Sequence, residues 1–186
     1  MHDVNHFAAA LPAAPVRDLR ATFVRRVQLL PMLASAPVDF LFTSGKANRF
    51  NLRGVSCVYF AEDEATAAAE YERHNSGRRQ PFATYFAEVR LRQVLDLCDA
   101  GTLSALGLTT SDLRVPWVGA VKPTVTQNLG EAVSQQAGIS AIRFPSDAAR
   151  VRGFVGANVV IFQGCVRRPD HVHILGPTKK PLQKWP

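Results

Sequence analysis

The stretch TSGKANRFNLRGVSCVYFAEDEATAAAE, residues 43–70, decides the fold of this chain. It opens with a polar, glycine-containing turn that ends in the tripeptide Arg-Phe-Asn at 49–51. The apolar run 56–61 is typical of a strand. Residues 65–73 are rich in alanine and follow three acidic residues, which favours a helix because acidic side chains stabilise a helix N-terminus. The stretch therefore predicts a turn, a strand and a helix in immediate succession.

Further strands and a second long helix are predicted around this unit. Alternating or continuous apolar residues predict strands at 21–27, 82–91, 139–144 and 158–162. Residues 94–97 either extend the strand at 82–91 or begin the next turn. An amphipathic pattern that stops at Gly138 predicts a helix over 126–137. Because short strands and helices are interspersed without a regular alternation, the pattern indicates an α+β domain.

Length and composition indicate one domain over residues 1–186. No apolar run reaches the roughly 18 residues that cross a bilayer, and the start lacks the features of a secretory signal. We therefore expect a cytoplasmic protein that does not associate with membranes. Residues 1–20 are expected to form an extended or poorly ordered arm, and residues 167–186 a basic C-terminal tail.

The chain is basic, with a formal net charge of +7. Its lysines and arginines are scattered in small clusters, without interleaved aromatic residues or zinc-finger spacing, so direct nucleic-acid binding is not expected. A basic surface equally suits an acidic partner protein or an anionic ligand. The pair His171 and His173 lacks enough neighbouring ligands for a metal, and the three widely spaced cysteines are expected to be small buried hydrophobes.

The turn–strand–helix unit resembles the signature of the RES domain family. In that family a glycine-rich turn ending in Arg-Trp-Asn precedes a strand ending in Tyr-x-Ala and a helix with a glutamate. Residues 138–146 are similar to the family's Gly-x-x-x-Pro-Ser segment, and residues 158–162 match its Asn-x-x-x-Phe strand. Thr126-Gln127-x-x-Gly130 resembles its Thr-Gln helix start. Phe50 stands where tryptophan is usual, and residues 46–48 replace a glycine pair.

The resemblance implies a fold and a function. The fold would be ADP-ribosyltransferase-like, a compact domain in which short strands form a split mixed sheet flanked by helices. The function would be that of a type II toxin acting on NAD⁺ as its substrate, without a metal, by cleaving the bond between nicotinamide and ribose. Whether water, phosphate or a protein accepts the ADP-ribose stays open. The implied partner is a small antitoxin with a helix-turn-helix domain, and a protein target of ADP-ribosylation is possible.

The resemblance also implies a set of site residues. Arg49, Glu70 and Ser146 are the residues after which the family is named, and Glu70 would face the ribose hydroxyls and the oxocarbenium-like charge. Arg49 would hold the pyrophosphate or the nicotinamide ribose. Ser146 would orient the ribose, although it could also simply cap a helix at residue 147. The remaining predicted NAD⁺ contacts are Tyr59, which would stack on nicotinamide, Asn158, and Arg25 or Arg26, which would add a phosphate contact.

Two alternatives remain at the level of sequence. The chain could be a non-catalytic basic module that binds protein or nucleic acid through its Lys/Arg clusters. It could also be a degenerate RES fold that binds NAD⁺ without turnover, as the altered glycines of the turn suggest.

Overall fold

A computed structural model describes residues 2–29, 41–43, 45–75, 80–136, 138–176, 178 and 180–186. The α-helices within these residues are α1 (Val4–Ala10), α2 (Glu64–His74), α3 (Ala100–Ala105), α4 (Val125–Gln135) and α5 (Asp147–Val151). The strands are β1 (Val16–Gln28), β2 (Cys57–Ala61), β3 (Phe82–Asp96), β4 (Ala141–Pro145), β5 (Ala157–Phe162), β6 (His171–Leu175) and β7 (Pro181–Trp185). None of the described helices is long and apolar enough to cross a membrane.

The strands form one mixed sheet in the order β1-β2-β5-β4-β3-β6-β7, and β1 also pairs with β3. Five strands therefore close into a ring, and β6 and β7 extend from it. β3 pairs with β6 through residues 86–90 and with β4 through residues 94–96, so the sheet splits along β3. The pairing of β3 with β4 is parallel and the others are antiparallel. This confirms an α+β fold with a split mixed sheet, although β1 and β3, at 13 and 15 residues, are longer than expected.

β5 is buried on both of its faces, which explains its continuous apolar sequence. Val160 and Phe162 pack into a core beneath α1 and α4. Val159 and Ile161 point the other way, into a second core that the long strands β1 and β3 help to form. Because β5 lies between both cores, it fixes β2 and β4 on either side, and these two strands lead into the helices that carry the site.

The two ends of the chain differ from what the sequence predicted. Instead of an extended arm, residues 4–10 form α1, which buries Phe7 completely. Asp3 is the N-cap of α1, and its carboxylate accepts a hydrogen bond from the His6 amide at 2.9 Å. β1 already begins at Val16. The C-terminal tail contributes β6 and β7 to the sheet. The N-terminal prediction was wrong because Pro12 and Pro15 indicate extended chain, whereas a capped helix of seven residues ends just before them. The tail is basic, and its two strands are an addition to the prediction.

Candidate active site

Two cavities adjoin at Arg49: one lies where β1, β2 and α2 meet the turn before β2, and the other lies between α3 and α5. The larger has a volume of about 660 Å³, and Arg49, Tyr59, Glu70 and Asn158 line it. The smaller has a volume of about 450 Å³ and is lined by Ser146. Arg49 lines both cavities. The structure thus brings together residues that lie up to about a hundred positions apart in the sequence.

Glu70 projects from α2 and is held by two donors. Its Oε1 accepts a hydrogen bond from the Ser146 hydroxyl at 2.7 Å and another from Asn158 Nδ2 at 2.7 Å. Both donor residues are almost completely buried, at 2% and 7% exposure. An ionised carboxylate accepts hydrogen bonds only, and bonds to a charged group are among the stronger ones in proteins. The orientation of the Glu70 carboxylate is therefore fixed before any ligand arrives.

Ser146 also caps a helix. Its Oγ accepts a hydrogen bond from the Ala149 amide at 3.1 Å, so it is the N-cap of α5 while it donates to Glu70. The capping function that its sequence context allowed is present together with the contact to the glutamate. One hydroxyl thus links the start of α5 to the carboxylate on α2.

The close contact between α2 and the start of α5 depends on Gly156. A Cβ at this position would lie 2.3 Å from Thr66 Oγ1 and 2.9 Å from Ala149 Cβ. Both distances are far below van der Waals contact, so only glycine fits without displacing a helix. Thr66 belongs to α2, the helix that carries Glu70, and Ala149 belongs to α5, the helix that Ser146 caps. Gly156 therefore lies at the junction of these two helices.

The turn that carries Arg49 is fixed by its own backbone and by α4. The Asn48 amide donates to the Asn51 carbonyl oxygen at 3.0 Å. From α4, Gln127 Nε2 donates to the Asn48 carbonyl oxygen at 3.0 Å. A Cβ at Gly130 would lie only 1.7 Å from the Phe50 carbonyl oxygen. The glycine of α4 therefore allows the turn to rest directly on the helix backbone.

Tyr59 supports this turn from below. Its hydroxyl accepts a hydrogen bond from the Phe50 amide and donates one to Asn51 Oδ1, both at 3.0 Å. Burial raises the pKa of this hydroxyl well above its usual value, so it remains a neutral phenol. The ring packs edge-on toward Phe144, with 6.4 Å between centroids. Tyr59 lines the larger cavity, and its hydroxyl positions the turn.

The Arg49 guanidinium lies near the acidic groups without pairing directly. Burial lowers its pKa from the usual value, and the charges of Glu70 and Asp147 act in the opposite direction. Its Cζ lies 5.8 Å from the centre of the Phe144 ring. Within the described residues no carboxylate comes within salt-bridge distance of Arg49. Its planar donors are therefore available to an anionic ligand.

Arg25 and Arg26 line the larger cavity on the side of β1. Arg25 Nη1 donates to the carbonyl oxygens of Leu41 at 2.9 Å and Tyr59 at 3.1 Å, and burial lowers its pKa to about 10. The Arg26 guanidinium lies 4.6 Å above the Phe82 ring. These contacts assign Arg25 a part in joining β1 to β2, in addition to its place in the cavity wall.

Several residues that shape this site were not predicted as site residues. Asn51 and Gln127 lie in the motifs that resemble the family, and Gly156 lies outside them, but all three matter through contacts that only the folded chain creates. Trp117, which lines the larger cavity, could have been noticed as a tryptophan in the loop segment Pro116-Trp117-Val118-Gly119. In the described part of the chain, no group of three or more His, Cys, Asp or Glu side chains could hold a metal. Cys98 is exposed, contrary to the expectation of burial.

The architecture and the site place the chain in a known class of protein. The fold is similar to that of MbcT in the crystal structure of the M. tuberculosis MbcT–MbcA toxin–antitoxin complex, with a TM-score of 0.58, 18% sequence identity and 93% of each chain covered. No curated protein matches the sequence. Residues 8–182 match the RES domain. The chain therefore belongs to the RES domain family, as its motifs predicted.

Proposed function

We propose that this protein is the toxin of a type II toxin–antitoxin system and that it cleaves the nicotinamide–ribose bond of NAD⁺. Membership of the RES domain family and the likeness to a chain from a toxin–antitoxin complex support the first part. One observation carries the second part: Ser146 and Asn158 both donate to Oε1 of Glu70, beside a cavity that Arg49 also lines. The same family implies an antitoxin with a helix-turn-helix domain and action in the cytoplasm.

The arrangement of the cavities suits a dinucleotide. NAD⁺ consists of two nucleosides joined by a pyrophosphate, and here two cavities of about 660 and 450 Å³ meet at Arg49. A guanidinium binds phosphate oxygens through paired hydrogen bonds. We therefore assign Arg49 to the pyrophosphate. The nicotinamide half then belongs in the larger cavity, because Glu70 lines that cavity and the bond to be broken must lie near its carboxylate.

The chemistry follows from the charge that develops on the ribose. When the C–N bond breaks, its electron pair leaves with nicotinamide, and the ribose carbon becomes oxocarbenium-like. A fixed carboxylate nearby stabilises that charge without having to reorient. Both described hydrogen bonds to Glu70 are on Oε1, which leaves Oε2 to meet a ribose hydroxyl. Water, phosphate or a protein nucleophile then adds to the carbon and loses its proton.

The test compares two glutamates of the same helix. Glu70→Gln keeps the size of the side chain but removes its charge, and it should lower NAD⁺ consumption by about 10²–10³-fold. Glu72→Gln is the matched control, since Glu72 lies on the exposed face of α2 and pairs with Arg152, and it should keep the wild-type rate. NAD⁺ loss is followed by chromatography, and circular dichroism checks that both variants fold. Wild-type consumption by the folded Glu70→Gln variant would refute the proposal.

The acceptor is determined by product analysis with the wild-type protein. Incubation with NAD⁺ in the absence of phosphate yields ADP-ribose if water attacks. Added phosphate yields ADP-ribose-1″-phosphate if phosphate attacks, and labelled NAD⁺ marks a protein if a side chain attacks. Absence of nicotinamide release in all three incubations would refute cleavage of NAD⁺.

A further inference from the structure

The loop 115–123 forms one edge of the larger cavity. It leads from the turn at Asp112–Arg114 to α4, and its residues Trp117 and Val118 line the cavity. The Ala120 amide donates to the Trp117 carbonyl oxygen at 3.3 Å, and Gly119 between them has a φ of +76°. A glycine with positive φ at this place is what a type II β-turn requires. The loop is therefore a defined turn that holds Trp117 at the cavity.

Trp117 differs from the other large aromatic residues of this cavity. Phe60 and Phe144 are 2% and 3% exposed, so their rings belong to the core. Tyr71 is also buried, and Tyr59 uses its hydroxyl to hold the turn. Trp117 is partly exposed. An indole that is held by a turn and still reaches the cavity can offer its face to a flat ring.

We propose that Trp117 stacks on the nicotinamide ring of NAD⁺ and holds it by cation–π attraction. This proposal rests on the proposed function, which places nicotinamide in the cavity that Glu70 and Trp117 both line. The nicotinamide ring of NAD⁺ carries a positive charge, and indole is the side chain that attracts a cation most strongly through its face. Val118, 74% exposed, extends the apolar edge beside it.

The attraction changes during the reaction. The ring is cationic in NAD⁺, but it becomes neutral when the electron pair of the broken C–N bond stays on its nitrogen. The cation–π contribution therefore holds the substrate and is lost in the released nicotinamide. Trp117 is thus a residue that selects a charged ring and permits departure of the neutral product. The reduced cofactor NADH, whose nicotinamide ring is neutral, should gain little from Trp117.

The first experiment measures this charge selectivity by calorimetry. All proteins carry Glu70→Gln so that NAD⁺ is not consumed during the titration. Adding Trp117→Leu should weaken NAD⁺ binding about tenfold and NADH binding less than about twofold. The control is Trp185→Phe, because Trp185 lies on β7 and packs against Phe42 with 5.5 Å between centroids. This control should leave both affinities unchanged.

The second experiment uses fluorescence and does not depend on replacing Trp117. The chain has two tryptophans, so Trp185→Phe leaves Trp117 as the only indole emitter. In the Glu70→Gln background, nicotinamide mononucleotide should quench this emission by direct stacking, whereas AMP should not. The result tests which ring lies on the indole, and it remains informative if Trp117→Leu fails to fold.

The outcomes separate the two proposals. The stacking proposal is overturned if Trp117→Leu binds NAD⁺ as tightly as its parent does, or if the substitution lowers the affinities for NAD⁺ and NADH by the same factor. It is also overturned if AMP, and not nicotinamide mononucleotide, quenches the emission of Trp117. In each of these cases NAD⁺ consumption by the wild-type protein leaves the proposed function intact. If the wild-type protein neither binds nor consumes NAD⁺, both proposals are wrong.

Discussion

At the scale of single residues, the Glu70 carboxylate meets donors from two different parts of the fold. Ser146 reaches it from the N-cap of α5 and Asn158 from β5, each at 2.7 Å. A carboxylate fixed in this way needs no reorganisation when positive charge develops nearby. This orientation depends on one hydroxyl and one amide group, both far from Glu70 in the sequence.

Ser146 has two roles that a pair of variants can separate. Ser146→Ala removes an N-cap and a donor to Glu70, while Asp3→Ala removes the corresponding cap of α1, which does not line either cavity. Each should lose about 1 kcal/mol of unfolding free energy from the cap. NAD⁺ turnover should fall about tenfold or more only in Ser146→Ala, because a lost hydrogen bond to a charged group affects the carboxylate itself. Equal turnover in the two variants would limit Ser146 to its capping role.

Sequence identified residue types at the site better than their contacts. Arg49, Glu70 and Ser146 were predicted from motifs, and they do line adjoining cavities. The contacts of the Tyr59 hydroxyl were not predictable, because a tyrosine on an apolar strand gives no sign of which group its hydroxyl meets. The contacts of Arg25 were not predictable either, because its guanidinium donates to backbone carbonyl oxygens, which are present whatever the side chains are.

At the scale of elements, α4 serves as the base on which the Arg49 turn rests. Its capping box at Thr124 and Gln127 fixes where the helix begins. Gln127 then bonds to the turn, and Gly130 one turn further on meets the Phe50 carbonyl oxygen. The helix therefore positions Arg49 although none of its side chains lines either cavity.

Gly130→Ala should destabilise the protein although alanine favours helices. Alanine gains about 1 kcal/mol over glycine within a helix, but its Cβ would lie 1.7 Å from the Phe50 carbonyl oxygen, which forces the turn away. We expect a net loss of about 2 kcal/mol or more in urea unfolding, with weaker NAD⁺ binding. Glu131→Ala, at the next and partly exposed position, should change stability by less than about 0.5 kcal/mol. A Gly130→Ala variant as stable as the wild type would show that the turn does not rest on α4.

The longer elements could be predicted because their patterns are local. The predicted helix 65–73 is α2, Glu64–His74, and the predicted helix 126–137 is α4, Val125–Gln135. The predicted strand 56–61 is β2, Cys57–Ala61. β3 continues five residues past the predicted 82–91, into the stretch 94–97 that the sequence left open as strand or turn, because its last residues are buried consecutively and lose the alternating pattern. For α5 the sequence offered only the cap at Ser146, because five residues are too few to show a helical period.

At the scale of the whole molecule, β3 is the strand that ties the sheet together. It pairs with β1 along one edge and with β4 and β6 along the other. β7 pairs with β6 at the outer end of the sheet. The ring closes between β1 and β2 through a single register pair, Val24 with Ala61. None of these long-range pairings is readable from sequence, because strand patterns show which face is buried but not which strand is the neighbour.

This topology predicts an uneven distribution of stability. Amides of β3 at residues 86–90 should exchange with solvent only through global unfolding, because β1 and β6 pair with both edges of the strand there. Amides of β7 should exchange through local opening, at least about a hundredfold faster, because the strand lies at an edge and is largely exposed. Hydrogen–deuterium exchange with mass spectrometry measures both. Equal protection of β3 and β7 would mean that the sheet opens as one unit.

The contact at Gly156 has a consequence for protein engineering. Two helices meet there across a position without a side chain, so the Thr66 and Ala149 side chains approach closer to residue 156 than any added Cβ would allow. The distance between Ser146 and Glu70 should therefore increase stepwise with the volume of the side chain at position 156. Alanine, serine and valine at this position form a series of increasing volume. Such a series offers a way to attenuate the protein progressively while every residue of its chemistry stays in place.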